Sequence, residues 1–177
     1  MKRKDIKGKI KAFFLQNPTQ KLRVRQIERT VQVPLPSVSR YTRELEQEKI
    51  LKRWEGAGIT AFEADRSSKE YLIEKKCFNL KALHQSGITD FLIQELNNPT
   101  ILAFGSYVRG EDVEKSDIDL YIETPSQRKI SVEKFERKLQ RKIHLIMQRT
   151  IKNIQNKELV NNIVNGITLN GFLEVST

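Results

Sequence analysis

The chain has 177 residues, 38% hydrophobic and 31% charged, with one cysteine, Cys77, and a formal net charge of +10. That length holds one large domain or two small ones. A lone cysteine excludes an internal disulfide framework and a cysteine-built zinc site. No apolar run approaches the roughly 18 residues of a membrane span, so no membrane partner is expected. The opening MKRKDIKGKIKAFF is basic but lacks an apolar core and a small-residue cleavage site, so no secretory signal is expected and a reducing, cytoplasmic setting fits.

The charge is uneven. Residues 1–66 hold 16 Lys/Arg against 8 Asp/Glu, and the remaining residues hold 16 against 14. A net +8 in the first third points to a polyanionic partner, nucleic acid first, with general solubility as the plain alternative.

In chain order, DIKGKIKAFFLQ places Ile6, Ile10, Phe13 and Phe14 on one helical face. NPTQ breaks it, and KLRVRQIERTV continues as a second helix carrying Leu22, Ile27 and Val31. VPLPS is a double-proline breaker. A third helix, SVSRYTRELEQEKIL, is expected from Ser37 as N-cap, burying Val38, Tyr41 and Leu45. Two short strands around a turn at Gly56–Gly58 follow. This order, over about residues 5–66, resembles a winged helix-turn-helix. The resemblance implies double-stranded DNA as partner, read by Ser39, Arg40, Arg43 and Gln47 on the outer face of the third helix and by Arg53 at the wing. A helical module that packs on a partner protein or on the chain's own second domain is the other reading, and Glu44, Glu46 and Glu48 dilute the basic face.

Residues 67–98 read as a helical connector, capped by Ser67 or Ser68 and interrupted at Gly87. Cys77, among Leu72, Ile73, Phe78 and Leu80, is expected in the core. His84 sits near a helix C-terminus, where a cation is favourable.

The chemistry is concentrated in residues 100–123. TILAF is a short apolar strand ending at Gly105-Ser106. About ten residues on, SDIDLYIE alternates, with Ile118, Leu120 and Ile122 on one face and Asp117, Asp119 and Tyr121 on the other. The two carboxylates then share a face, about 6.6 Å apart by strand rise. Two such anions repel unless a cation lies between them, and Mg²⁺ held by carboxylates and phosphates fits that need. Glycine after a strand lets backbone N–H groups approach a phosphate.

Here the chain resembles the nucleotidyltransferase superfamily, the fold of DNA polymerase beta and its minimal relatives: apolar strand, Gly105-Ser106, spacer, then Asp117-Ile118-Asp119 on the next strand. The resemblance implies transfer of a nucleoside monophosphate from a nucleoside triphosphate to a hydroxyl. It assigns Gly105, Ser106, Arg109 and Ser116 to the nucleotide, and Asp117 and Asp119 to Mg²⁺ or Mn²⁺ and to catalysis. Active members usually add a third carboxylate on a later strand. Here that strand reads RKIHLIMQ, with Ile143, Leu145 and Met147 buried and His144 where Asp is expected. An imidazole can ligate a metal or act as base, but Mg²⁺ prefers oxygen. Glu123 shares the face of Asp119 but lies about 13 Å along the strand.

The helix VEKFERKLQRK, with Val132, Phe135 and Leu139 inward, offers Lys134, Arg137, Lys138, Arg141 and Lys142 either to an acceptor groove or to solvent. The tail reads as a helix closed by Gly166, then one or two strands adding a sheet edge.

The expected fold is thus α+β: a winged helix-turn-helix (1–66), a helical connector (67–98) and a small mixed-sheet α/β nucleotidyltransferase domain (99–177). Two functions stand side by side. One is a Mg²⁺-dependent nucleotidyltransferase with a DNA-binding arm. The other is a weak or inactive nucleotide-binding regulator or antitoxin-like protein that engages a partner such as a helical toxin. A homodimer is the default assembly.

Overall fold

The computed structural model describes residues 5–56 and 58–174. The chain divides into two compact units, 1–78 and 79–177. Among the described residues no helix is long and apolar enough to cross a membrane.

The first unit opens with α1 (Ile6–Gln16). Asp5 caps it, its carboxylate accepting from Gly8 N–H at 2.8 Å. The strand β1 (Leu22–Arg23) follows, then α2 (Val24–Val31), α3 (Leu35–Gln47), β2 (Leu51–Gly56) and β3 (Ile59–Ala64). The strands form an antiparallel sheet in the order β1-β3-β2. Three sequence expectations change here. Leu22 lies in β1, paired with Phe62, not on a helix. The third helix starts two residues before Ser37, with Pro34 at its N-cap and proline again in its first turn, where a missing N–H costs nothing. Thr42 takes the buried place expected of Tyr41, and its hydroxyl donates to the Val38 carbonyl at 2.8 Å. Ala57, in the middle of the expected turn at Gly56–Gly58, lies outside the described residues.

Ile10, Phe14, Ile27, Val38 and Leu45 pack with Leu51, Phe62 and Tyr71 as the core of this unit. Each fully buried Ile or Leu contributes about 1.5–3 kcal/mol. Lys75, almost fully buried, donates from Nζ to the Leu15 carbonyl at 2.6 Å. Its charge sits where α1 leaves unpaired carbonyls, which offsets the desolvation of the ammonium.

Helix α4 (Lys69–Ser86) contains the division between the units. Ser68 caps it by accepting from Tyr71 N–H at 2.9 Å. Cys77 is exposed, against expectation. It lies one turn from Ile73, which is also exposed, while Tyr71, Lys75 and Asn79 take the buried side. Hydropathy placed Cys77 inside, but a stripe holding a lysine and an asparagine is the one that became buried.

The second unit continues with α5 (Ile88–Glu95), β4 (Thr100–Phe104), α6 (Ser106–Arg109), β5 (Ile118–Glu123), α7 (Glu133–Leu139), β6 (Ile143–Gln148), α8 (Lys157–Val164) and β7 (Ile167–Asn170). Its mixed sheet runs β6-β5-β4-β7, with β5 and β6 parallel and the other pairs antiparallel. Parallel pairing requires a crossover, and α7 supplies it. The tail forms the expected edge strand, β7. Gly166 is required before it, because a Cβ there would lie 2.6 Å from the Ala103 carbonyl oxygen.

Both faces of the sheet are covered. Ile101, Ala103, Ile118, Leu120 and Ile122 pack on Leu83, Leu92, Val108 and Phe135. On the other face, Leu102, Phe104 and Tyr121 pack on Ile151 and Ile163. The alternation of β5 is therefore real, and Asp119 shares its face with a fully buried Tyr121. The acidic end of β5 is left at the margin of that packing.

Candidate functional site

The site forms where β4 ends and β5 and β6 begin. Phe104 pairs with Asp119 in the antiparallel ladder, so the turn at Gly105 falls beside the Asp119 carboxylate. On the other side, the parallel register pairs Asp119 with His144. Asp119 thus lies between the Gly105 turn that follows β4 and His144 on β6.

Gly105 has φ 79° and ψ −163°, a region essentially limited to glycine. A Cβ there would stand 2.7 Å from Asp119 Oδ2. The small residue is what lets the backbone turn lie against the carboxylate. Ser106 opens α6, which has only four residues. So short a helix has little macrodipole, and any hold on a phosphate would come from backbone N–H groups and the Ser106 hydroxyl.

Asp119 is partly buried, and its Oδ1 stands 3.3 Å from His144 Nδ1. The imidazole is 62% exposed. Asp117 lies one residue ahead of β5 and is exposed. Strand register therefore fixes Asp119, whereas Asp117 belongs to the loop mouth. Among the described residues no three His, Cys, Asp or Glu side chains cluster closely enough to hold a metal by themselves.

The donor set still fits one dication shared with a triphosphate. Mg²⁺ keeps several waters and is commonly held by one or two carboxylates plus substrate phosphates. Asp117 and Asp119 would hold it here, and the substrate would complete the shell.

Glu123 is committed elsewhere. It accepts from the Tyr121 hydroxyl at 2.9 Å and from Ile151 N–H at 2.8 Å. Burial, then the bond to Glu123, pushes the Tyr121 phenol well above its usual range, so it stays a donor. Ser116 is also held locally, its hydroxyl accepting from Val113 N–H at 3.0 Å. Arg109 is exposed and pairs with Glu111 at 2.8 Å.

A cleft of about 480 Å³ opens beside Asp117, lined by Glu114, Lys115, Ser116, Glu136, Arg137, Gln140, Arg141 and Lys142. Three of the five expected groove cations line it: Arg137, Arg141 and Lys142. The other two point away. Lys134 lies over the Phe91 and Phe135 rings, and Lys138 donates to the carbonyls of Gln85 and Ser86.

Sequence reasoning missed what holds the loop ahead of Asp117. Asn79 Nδ2 donates to the Tyr107 carbonyl and to Asp112 Oδ1, both at 2.7 Å. Asp112 is buried, and Arg141 Nη2 stands 3.9 Å from its Oδ2. Burial, with Asp112 nearby, raises the Tyr107 phenol well above its usual range, so it too stays protonated. The signal was a polar residue, Asn79, on the buried stripe of α4.

In the first unit, Ser39, Arg43 and Arg53 line one concavity of about 220 Å³ with Val24, Thr42, Thr60 and Phe62. Arg40 does not join them. Its guanidinium bonds Glu44 at 2.8 Å, and that bond and charge hold the guanidinium above and the Glu44 carboxyl below their usual values. Gln47 is exposed and is not part of that lining. Arg53 is paired with Glu55.

No curated protein and no solved structure matches this chain. Residues 86–170 match the family described as nucleotidyltransferase domain, which supports the nucleotidyltransferase superfamily for that stretch and a general nucleotidyl-transfer function.

Proposed function

We propose that the second unit transfers a nucleoside monophosphate from a nucleoside triphosphate to a hydroxyl acceptor in a reaction dependent on Mg²⁺ or Mn²⁺. The acceptor oxygen bonds to the α-phosphorus, the bond to pyrophosphate breaks with the electron pair leaving on pyrophosphate, and the hydroxyl proton passes to water. The observation that carries this reading is the approach of the Gly105 turn to the Asp119 carboxylate, 2.7 Å from where a side chain would begin. That closeness supports a site in which backbone donors of the turn and the Asp119 carboxylate serve one triphosphate and its cation. The Gly105–Ser106 turn holds β- and γ-phosphate oxygens through N–H groups and the Ser106 hydroxyl. Asp117 and Asp119 hold the cation, which neutralises charge on the transferring phosphoryl group when bound. Arg109 reaches the triphosphate by exchanging Glu111 for phosphate. His144 joins the site through its contact with Asp119.

The test is incubation with each radiolabelled nucleoside triphosphate and Mg²⁺ or Mn²⁺. Label is expected on the protein itself, on added RNA or on a co-purified protein, and it should vanish in Asp117→Asn/Asp119→Asn. Nucleotide binding without transfer to any acceptor would favour the other reading, a nucleotide-binding regulator or antitoxin-like protein. That reading draws on the missing third carboxylate.

For the first unit we propose a winged-helix module that binds double-stranded DNA. Support comes from its charge and from Ser39, Arg43 and Arg53 gathered around one concavity. Guanidiniums so placed suit phosphates and base edges.

A further inference from the structure

We infer that the second unit carries a site for the phosphate backbone of a single-stranded nucleic acid, centred on Arg149 and separate from the Asp119 site. The inference does not depend on nucleotidyl transfer.

β5 and β6 run parallel, so their carboxyl ends fall side by side, at the opposite end of the strands from Asp119 and His144. Thr124 N–H donates to the Gln148 carbonyl at 2.8 Å and carries the ladder one step further. The chain then parts into two lips around a cavity of about 300 Å³, whose lining includes Thr124, Ser126, Gln127, Gln148, Arg149 and Asn153. Thr124 lies about 17 Å from Asp119 by strand rise, so one phosphate group cannot serve both places. Among the described residues no carboxylate lines the cavity. The nearest in sequence, Glu123, is held by the Tyr121 hydroxyl and by Ile151 N–H, at the start of the short 3-10 helix Ile151–Asn153.

The Arg149 guanidinium is exposed and, among the described residues, makes no ion pair or hydrogen bond, and the same holds for the side chains of Gln127, Gln148 and Asn153. A guanidinium so placed suits a phosphate, which it can grip with two parallel bonds. Charge then narrows the ligand. Residues 124–132 and 147–157 carry Arg128, Lys129, Arg149, Lys152 and Lys157, all exposed, and no Asp or Glu. The rest of residues 79–177 holds 8 Lys/Arg against 12 Asp/Glu. A single small anion needs one or two cations, whereas five along two neighbouring segments match a polyanion. The amides of Gln127, Gln148 and Asn153 both donate and accept, which suits the Watson–Crick edge of an unpaired base. In a duplex that edge is taken by the complementary base, so the site fits a single strand.

The experiment uses the full chain carrying Arg43→Ala/Arg53→Ala, which removes the proposed duplex-binding face of the first unit, and a short fluorescent single-stranded RNA. Anisotropy titrations at several salt concentrations compare this background with the same chain bearing Arg149→Ala/Asn153→Ala or Arg149→Lys. Both positions are exposed, so the variants keep the fold. The double substitution is expected to weaken RNA binding by about tenfold and to lower the salt slope by about 0.7, the share of one phosphate on a single strand. Arg149→Lys should keep the slope, because the charge stays, and bind more weakly, because the paired bonds are lost. Binding of a nucleoside triphosphate with Mg²⁺ should not change. RNA affinity and slope that the double substitution leaves unmoved, or no RNA binding by the background chain, overturn the inference. Inorganic phosphate or a duplex that competes as well as the RNA at equal phosphate concentration overturns the choice of a single strand. Triphosphate binding that falls in step with RNA binding overturns the separateness of the site.

Discussion

The Asp119 carboxylate occupies the space that a side chain at residue 105 would need: a Cβ on Gly105 would meet its Oδ2 at 2.7 Å. The contact is doubly restrictive, since the backbone at 105 also has positive φ. Gly105→Ala should therefore destabilise the protein by about 1–3 kcal/mol and abolish nucleotide binding. Ser106→Ala should leave the denaturation midpoint near wild type and only weaken binding. Denaturant melts and calorimetric nucleotide titrations separate the two. An alanine at 105 that binds nucleotide normally would remove the turn from the site.

Asn79 ties the Tyr107 carbonyl to Asp112, and so anchors α6 and the loop leading to Asp117 at once. Asn79→Ala should cost about 1–3 kcal/mol, because the buried Asp112 carboxylate loses a donor. Asn79→Asp should cost at least as much, since it sets a second anion against Asp112. Urea melts of the two variants check the order. A melt of Asn79→Asp at wild-type stability would show that Asp112 does not depend on this donor.

Glu136 accepts from Ile143 N–H at 3.0 Å and from Lys142 at 3.2 Å. The backbone bond, then the lysine, hold its carboxyl below the ordinary value of 4.5. A depressed carboxyl contributes stability above its unfolded value and loses it as pH falls through the folded one. Wild type should therefore exceed Glu136→Gln in stability at neutral pH, and the difference should shrink as pH falls below 4.5. Urea midpoints taken across that range read the sign directly.

Arg43 and Arg53 share a concavity that Arg40 does not line. Arg43→Ala/Arg53→Ala should weaken duplex DNA binding and reduce its salt slope by about one for each phosphate no longer neutralised. Arg40→Ala should have the smaller effect. Mobility shifts at several salt concentrations compare them, and equal effects from both variants would discard the assigned face.

Much of the second unit was legible from local pattern. The alternation of SDIDLYIE placed Asp119 and Tyr121 on one face, and the structure keeps them there. The same reading set Asp117 beside them on the strand, but β5 begins at Ile118 and Asp117 stays in the loop. Hydropathy failed on α4, where Cys77 is exposed and Lys75 and Asn79 are buried. Each of those polar groups found an acceptor from a distant part of the chain, Leu15 for one and Tyr107 with Asp112 for the other.

By itself the sequence determined which residues alternate, which must turn and which carry charge, because those follow from backbone period and side-chain chemistry within a few residues. Only the tertiary structure decided which of them meet. The order β6-β5-β4 sets Gly105 and His144 on either side of Asp119. Arg40 bonds Glu44 outside the concavity that Arg43 and Arg53 line, and hydrogen bonds hold Glu123 away from the role its position offered. Such meetings depend on partners 28 residues away, as for Glu123 and Ile151, or on competition between nearby charges, and neither is written in any local period.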